Sequence, residues 1–441
     1  MVSEGDLLAA IDRVYRRTDD IYGLTEELAR DMGEAEASII GLEALSEGQA
    51  DAPVVRLLQT LFEDALQVNA SDMHIEPQEK QLAIRFRIDG MLHPQTQADL
   101  KIAPALALRL KIVSGLDISE KRLPQDGRFA VKVRGRTVDV RLSTMPTQYG
   151  ESVVMRLLSQ GEDPLTIDGL GMPAAMLERF RAILHRPNGL VLVTGPTGSG
   201  KTTTLYAALE ELNRPTTKII TVEDPVEYRL AGVNQVQAND KIDLTFSRVL
   251  RAILRQDPDV ILVGEMRDPE TAQIALRAAM TGHLVLSTLH TNDAASTPVR
   301  LLDMGVPAFM VATSVQGVLA QRLIRHVCKQ CKAPHSPTPQ ERVWLGQTNA
   351  DVPLEAAYFA GAGCDRCHNT GYAGRQAIHE LLEINATLAD SLANNQPAQF
   401  VKAARASLAG HTLRDHALAL ARKGVTSLAE AMRVSAQDDA G

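Results

Sequence analysis

Gly189-Leu190-Val191-Leu192-Val193-Thr194, then Gly195-Pro196-Thr197-Gly198-Ser199-Gly200-Lys201-Thr202, then Thr203-Thr204-Leu205-Tyr206-Ala207-Ala208-Leu209-Glu210, is the stretch that decides the fold. The first segment reads as a buried strand and the last as a helix. Between them lies G-x-x-x-x-G-K-T, which holds phosphate when it joins a strand to a helix. Glycines let the backbone wrap around charged oxygens, and successive N–H groups with the helix N-terminus face them. The expected nucleotide-binding residues are Gly195, Pro196, Thr197, Gly198, Ser199, Gly200, Lys201, Thr202 and Thr203. Lys201 would reach the β- and γ-phosphates, and the Thr202 hydroxyl would sit on Mg2+.

Three further apolar runs follow. Lys218–Val222 ends in Glu223-Asp224-Pro225, Asp259–Val263 ends in Gly264-Glu265, and His283–Thr288 is followed by Leu289-His290-Thr291. Apolar runs separated by helical stretches indicate a mainly parallel sheet covered on both faces, with ligands beyond the C-terminal strand ends. Cleaving a nucleoside triphosphate needs an in-line water, a metal and positive charge for the transition state. The usual acid at the end of Val260–Val263 is replaced by Gly264, so Glu265 is the available carboxylate for orienting water. Asp259 begins that strand and lies at the wrong end. Glu223 is the second candidate, to polarise water or hold a metal-bound water; a loop salt bridge or cap is its alternative. His283 and His290 could sense the γ-phosphate or could be packed, hydrogen-bonded histidines. Arg267 could serve the site or pair with Asp268 or Glu270.

The chain has 441 residues, enough for roughly two to four domains. Its formal charge of -8 and 4% aromatic content argue against a general nucleic-acid surface. No segment approaches the ~18 apolar residues of a membrane span, and Met1-Val2-Ser3-Glu4-Gly5-Asp6 lacks the features of a signal peptide, which predicts a cytoplasmic protein. Residues 1–51 read as a short helical or partly disordered segment and 52–160 as a compact α/β domain with basic side chains near its turns. Residues 161–323, entered through a polar linker, read as the nucleotide domain. Residues 324–375 look irregular, and in 376–441 apolar periodicity returns and predicts a helical subdomain.

All four cysteines fall in two C-x2-C knuckles, Cys328/Cys331 and Cys364/Cys367. Four thiolates suit a structural tetrahedral Zn2+, and in a reducing compartment this outweighs free thiols or disulfides. Arg322, Arg325, His326, Lys329 and Lys332 make the first knuckle basic.

With these motifs in place, the chain resembles the secretion ATPase superfamily, specifically type II secretion ATPases and the type IV pilus assembly ATPases. Gly195–Thr202 matches the Walker A segment, Thr221–Tyr228 the Asp box, Leu250–Asp268 the atypical Walker B segment and Thr281–Asn292 the His box. The resemblance implies an α/β fold: a RecA-like P-loop NTPase domain with a preceding small PAS-like α/β domain, a tetracysteine metal module and a C-terminal helical subdomain. It implies Glu265 as the hydrolytic glutamate, Glu223 as its supporter, and ATP, Mg2+ and structural Zn2+ as the bound groups. It also implies a homo-hexamer in which Arg85, Arg128 and Arg141 of the 52–160 domain reach the phosphates on another subunit, with Arg87 in reserve. Arginine suits the task because it stays charged and presents a fork to phosphate. The implied function is ATP-driven pseudopilus assembly and protein export in type II secretion. Type IV pilus extension is the alternative, ahead of a DNA-translocating motor or a nonhydrolysing scaffold. The implied partners are inner-membrane platform and docking proteins and phospholipid, with no specific nucleic acid, at the cytoplasmic side of the inner membrane. Type II ATPases usually carry a larger N-terminal docking domain than residues 1–51 provide. Retraction-type pilus ATPases generally lack the cysteine module.

Overall fold

In the computed structural model, the described residues are Leu24, Thr25, 53–133, 136–159, 166–346 and 357–435. The helical or disordered reading of 1–51 falls, apart from Leu24 and Thr25, outside them, as does 161–165 of the expected linker. The chain divides into two units, Met1–Asp163 and Pro164–Gly441.

In the first unit, helix α1 (Pro53–Gln67) precedes strands β1 (Asp72–Pro77), β2 (Leu82–Ile88) and β3 (Met91–Ala98). Helix α2 (Ala103–Val113) then leads to β4 (Gln125–Val133), β5 (Arg136–Thr147) and β6 (Gly150–Ser159). The sheet is antiparallel with order β3-β2-β1-β6-β5-β4. Strand alternation sends Met73, Ile84, Phe86, Leu142 and Met155 to one face, where Leu57, Leu61, Leu106 and Leu110 of the helices bury them. The other face is polar and carries the arginines described below.

The second unit begins with α3 (Ala174–Leu184), β7 (Gly189–Thr194), α4 (Lys201–Leu212), β8 (Ile219–Glu223) and β9 (Val233–Gln237). It continues through α5 (Phe246–Ile253), β10 (Val260–Val263), α6 (Pro269–Met280), β11 (Leu284–Leu289), α7 (Thr297–Asp303) and α8 (Ala308–Ser314). Next come β12 (Val315–Val327), β13 (Lys332–His335), α9 (Pro339–Trp344), β14 (Tyr358–Gly361) and β15 (Tyr372–Glu383). Helices α10 (Ala386–Ala393), α11 (Pro397–Ser407), α12 (Leu413–Arg422) and α13 (Leu428–Ser435) complete it.

Seven strands form one sheet in the order β15-β12-β7-β11-β10-β8-β9, parallel except for β15. Its central strands are buried along their whole length, as a sheet covered on both faces requires. One face packs Phe180, Leu205 and Leu209 of α3 and α4, and the other packs α5, α6, α8 and the C-terminal helices.

Two expectations need correction here. The segment 324–375 is not irregular throughout, because β12 runs to Val327, β13 and β14 form a hairpin, and β15 starts at Tyr372. Ile378, Leu381 and Leu382, read as helical, lie on β15. Ile378 and Leu382 face one core and Leu381 the opposite one, which is the period of a strand buried on both faces.

Candidate nucleotide site and tetracysteine centre

The phosphate loop leaves the C-terminal end of β7. Gly195, Gly198 and Gly200 take φ of +145°, +77° and +87°, conformations that side chains disfavour. At Gly195 space also forbids a side chain, since a Cβ would lie 2.3 Å from the Gln321 carbonyl oxygen. Gly200 opens α4, so the helix N-terminus and the loop N–H groups converge on one hollow. Lys201 Nζ spans the loop, donating to the carbonyls of Gly195 at 2.8 Å and Pro196 at 3.1 Å. Burial lowers its pKa, and the Glu265 carboxylate opposes that shift. The Ser199 hydroxyl is buried without a hydrogen-bond partner among the described residues, while Thr202 is half-buried on the first turn of α4.

Neighbouring strand ends are tied to this loop. The Thr194 hydroxyl donates to the Leu289 carbonyl at 2.9 Å and accepts from the Thr291 N–H at 3.0 Å. This holds the segment carrying His290 beside the loop. Glu265, one residue past the glycine that follows β10, pairs with the Arg267 guanidinium and lies 3.5 Å from His290 Nε2. Arg267 also comes within 3.9 Å of Asp224 rather than pairing with its expected partners. Asp268 instead caps α6 through the Thr271 N–H, and Glu270 pairs with Arg251 at 2.5 Å. A groove of about 750 Å³ lined by Asp224, Arg251, Glu265 and Arg267 opens on this side. The glycine that replaces the usual strand-end acid has a steric reason. A Cβ on Gly264 would press to 3.2 Å on the Val222 carbonyl and 3.3 Å on Glu223 Cα, so the carboxylate moves one residue on.

Glu223 ends β8 but is turned inward and almost fully buried. It accepts from the Tyr206 hydroxyl at 2.5 Å, the Thr221 hydroxyl at 2.6 Å and the Gln235 amide at 3.3 Å. Burial and the adjacent Glu223 raise the Tyr206 pKa strongly, so the phenol remains the donor. Asp259 receives the Lys218 N–H at 2.7 Å at the opposite end of the sheet. His283 is there too, and this corrects its candidacy. It precedes β11, whose Leu284 pairs with Gly189 and whose Leu289 pairs with Thr194, so a whole strand of roughly 20 Å separates it from the loop. Its Nδ1 meets the Ala278 carbonyl at 3.0 Å, a local cap.

The candidate arginines lie on the polar face of the first unit. Register places Arg128 opposite Arg141, Arg141 opposite Arg156, Arg156 opposite Asp72 and Asp72 opposite Arg87. Arg156, not anticipated, belongs to this row and pairs with Asp72 at 3.0 Å. Arg85, two residues from Arg87 along β2, pairs with Glu76. The register thus lines up Arg128, Arg141, Arg156 and Arg87 across neighbouring strands, with the buried Asp72 between the last two, 3.9 Å from Arg87.

The cysteines sit at four strand junctions: Cys328 after β12, Cys331 before β13, Cys364 after β14 and Cys367 before the turn into β15. All four sulfurs lie within 4.8 Å of one another. The Cys328–Cys364, Cys331–Cys367 and Cys364–Cys367 separations are 3.8, 3.8 and 3.7 Å. A disulfide needs ~2.05 Å, whereas a tetrahedron with Zn–S bonds of ~2.3 Å has edges of ~3.8 Å. The donor set therefore fits zinc. Burial pushes the Cys367 thiol up, but N–H groups of Cys364 and Gly371 outweigh it and leave the thiol at about 7. The nearby basic residues are mostly engaged internally. Arg322 donates to the Val434 and Asn292 carbonyls, Arg325 pairs with Glu430 at 2.7 Å, and Lys332 donates to the Gly424 carbonyl.

The profile of the family described as "Type II/IV secretion system protein" matches residues 47–433. "Type II secretion system ATPase E" of Vibrio cholerae is 46% identical over 95% of this chain and 80% of its own length. "Type II secretion system protein E" of Aeromonas hydrophila is 46% identical over 95% and 81%. Among solved structures, that of the pilus retraction motor PilT with bound ADP is similar with a TM-score of 0.58 and 29% identity, over 86% of this chain and 96% of that one. The Legionella pneumophila ATPase DotB shares the fold with a TM-score of 0.64 at 21% identity, over 87% and 96%. A phosphate loop, a carboxylate displaced past a strand-end glycine and a four-thiolate centre thus occur together in a chain that belongs to the type II/IV secretion system protein family.

Proposed function

We propose that this chain is a Mg2+-dependent ATPase that works as a homo-hexamer and powers pseudopilus assembly and protein export in type II secretion. The observation that supports this most is the glycine loop itself: it wraps Lys201 at the N-terminus of α4, and the Thr194–Thr291 hydrogen bond holds beside it the segment whose His290 lies 3.5 Å from Glu265. Similarity along 95% of the chain to proteins named for type II secretion supports the process. The loop N–H groups and Lys201 bind the β- and γ-phosphates of ATP. Thr202 would hold Mg2+, which supplies charge neutralisation between phosphates. Glu265 orients the attacking water, with Arg267 and His290 fixing its two oxygens. Glu223 acts from behind as a positioning residue that locks the end of β8.

Arg128 and Arg141, with Arg156 and Arg85, supply trans charge to the triphosphate from a neighbouring copy. The four cysteines hold one structural Zn2+. Among the described residues no helix is long and apolar enough to cross a membrane. Attachment to the cytoplasmic face of the inner membrane would therefore run through platform and docking proteins and phospholipid. The test is Glu265→Gln: turnover should fall at least ~100-fold while ATP binding persists. Unchanged turnover would remove Glu265 from this role.

A further inference from the structure

Gln321 lies in the middle of β12, far along the chain from the phosphate loop, and it is buried to 1% exposure. Its side-chain Nε2 donates to the Ser199 carbonyl at 2.6 Å, and its Oε1 accepts from the Thr204 hydroxyl at 2.7 Å. Its backbone carbonyl is the atom that leaves no room for a Cβ at Gly195, and its amide nitrogen would lie 3.1 Å from a Cβ at Gly200. One residue therefore backs the loop at both of its ends.

The consequence follows from peptide geometry. In a trans peptide the C=O and the next N–H point in opposite directions. Holding the Ser199 oxygen against Gln321 turns the Gly200 N–H the other way, towards the hollow of the loop. The Ser199 carbonyl, which can only accept, decides which way the amide faces, and the Thr204 hydroxyl, able to donate, anchors the amide oxygen on the other side. We infer that Gln321 is a positioning residue for the phosphate loop, setting the Ser199–Gly200 peptide so that its N–H is available to phosphate oxygen. This inference rests on the reading of Gly195–Thr202 as a nucleotide site.

Gln321→Glu exchanges the donor for an oxygen that repels the Ser199 carbonyl when ionised. Burial raises the pKa of such a carboxyl, and its protonated form regains an O–H donor. The residue paired with Gln321 across the sheet, His379, is fully buried and held down to about 3, so it stays neutral in the range used. Gln321→Leu removes both bonds.

The experiment measures ADP affinity and steady-state ATPase kinetics of the full chain and its variants, with thermal unfolding of each as a folding control. Gln321→Leu should weaken ADP about tenfold, the weight of one buried hydrogen bond left unmade. KM for ATP should rise more than kcat falls. The Gln321→Glu deficit, taken relative to the parent at each pH, should be large at about pH 8 and shrink towards about pH 6. Thr204→Val should mimic the loss and Thr204→Ser should not. If Gln321→Leu does not fold, the pH dependence of Gln321→Glu and the Thr204 pair still decide. Variants that bind as the parent does, or a Gln321→Glu deficit that ignores pH, overturn the inference. If the parent itself binds no ADP, the nucleotide reading falls and takes this one with it.

Discussion

Tyr206→Phe deletes a single oxygen, but one that joins three elements. The Tyr206 hydroxyl on α4 donates to Glu223 at 2.5 Å and stands 3.3 Å from both the Glu227 N–H and the Gln235 amide. The ring keeps its edge-on packing against Tyr228, centroids 4.6 Å apart, so the apolar part of the side chain is not disturbed. What is lost is the partner of one oxygen on a buried carboxylate. A hydrogen bond to a charged group is worth about 1.5–3 kcal/mol, and leaving that oxygen unsatisfied brings the expected loss to about 3 kcal/mol. The chain has one tryptophan, at position 344 in the second unit, so urea unfolding followed by its fluorescence reports on that unit. The same variant should lower kcat, because β8 no longer ends in a fixed carboxylate beside Gly264. A double-mutant cycle with Glu223→Gln should return a coupling of similar size. The reasoning is refuted if Tyr206→Phe changes neither stability nor turnover while Glu223→Gln abolishes turnover alone. That pattern would put Glu223 directly on the phosphate or its water.

Glu430 is buried, yet its pKa lies below the ordinary 4.5. Burial would raise it, but hydrogen bonds from Arg433 and Arg325 prevail. A depressed carboxyl stabilises the fold fully above the unfolded value and loses that contribution as pH falls through the folded one. Stability should therefore drop below about pH 4.5, and Glu430→Gln should flatten that acid slope in urea titrations. Elemental analysis should find about one zinc per chain, and chelation should expose four reactive thiols; a metal-free protein with full stability and activity would remove the structural role. Arg128→Ala and Arg141→Ala should reduce ATPase activity of the assembled oligomer more than nucleotide affinity of the monomer, and equal losses would place them outside the trans role.

Contiguous sequence determined what contiguous chain can build. The phosphate loop, its strand and its helix are neighbours along the backbone, so glycine freedom and apolar runs were enough to locate Lys201 and Thr202. The two C-x2-C knuckles were legible for the same reason, since each turn sets its own pair of thiols. Strand direction excluded Asp259, whereas His283 stayed a candidate until the sheet placed it at that same end, a whole strand away from the loop. Tertiary structure decided what depends on distant strands lying side by side. Only the sheet order puts Gln321 behind Gly195, Tyr206 over Glu223, and Arg156 in line with Arg128 and Arg141. It also made a strand of Ile378, Leu381 and Leu382, because a segment wedged between two cores alternates between them. Periodicity along one chain carries no record of which partner waits on the far side of a sheet.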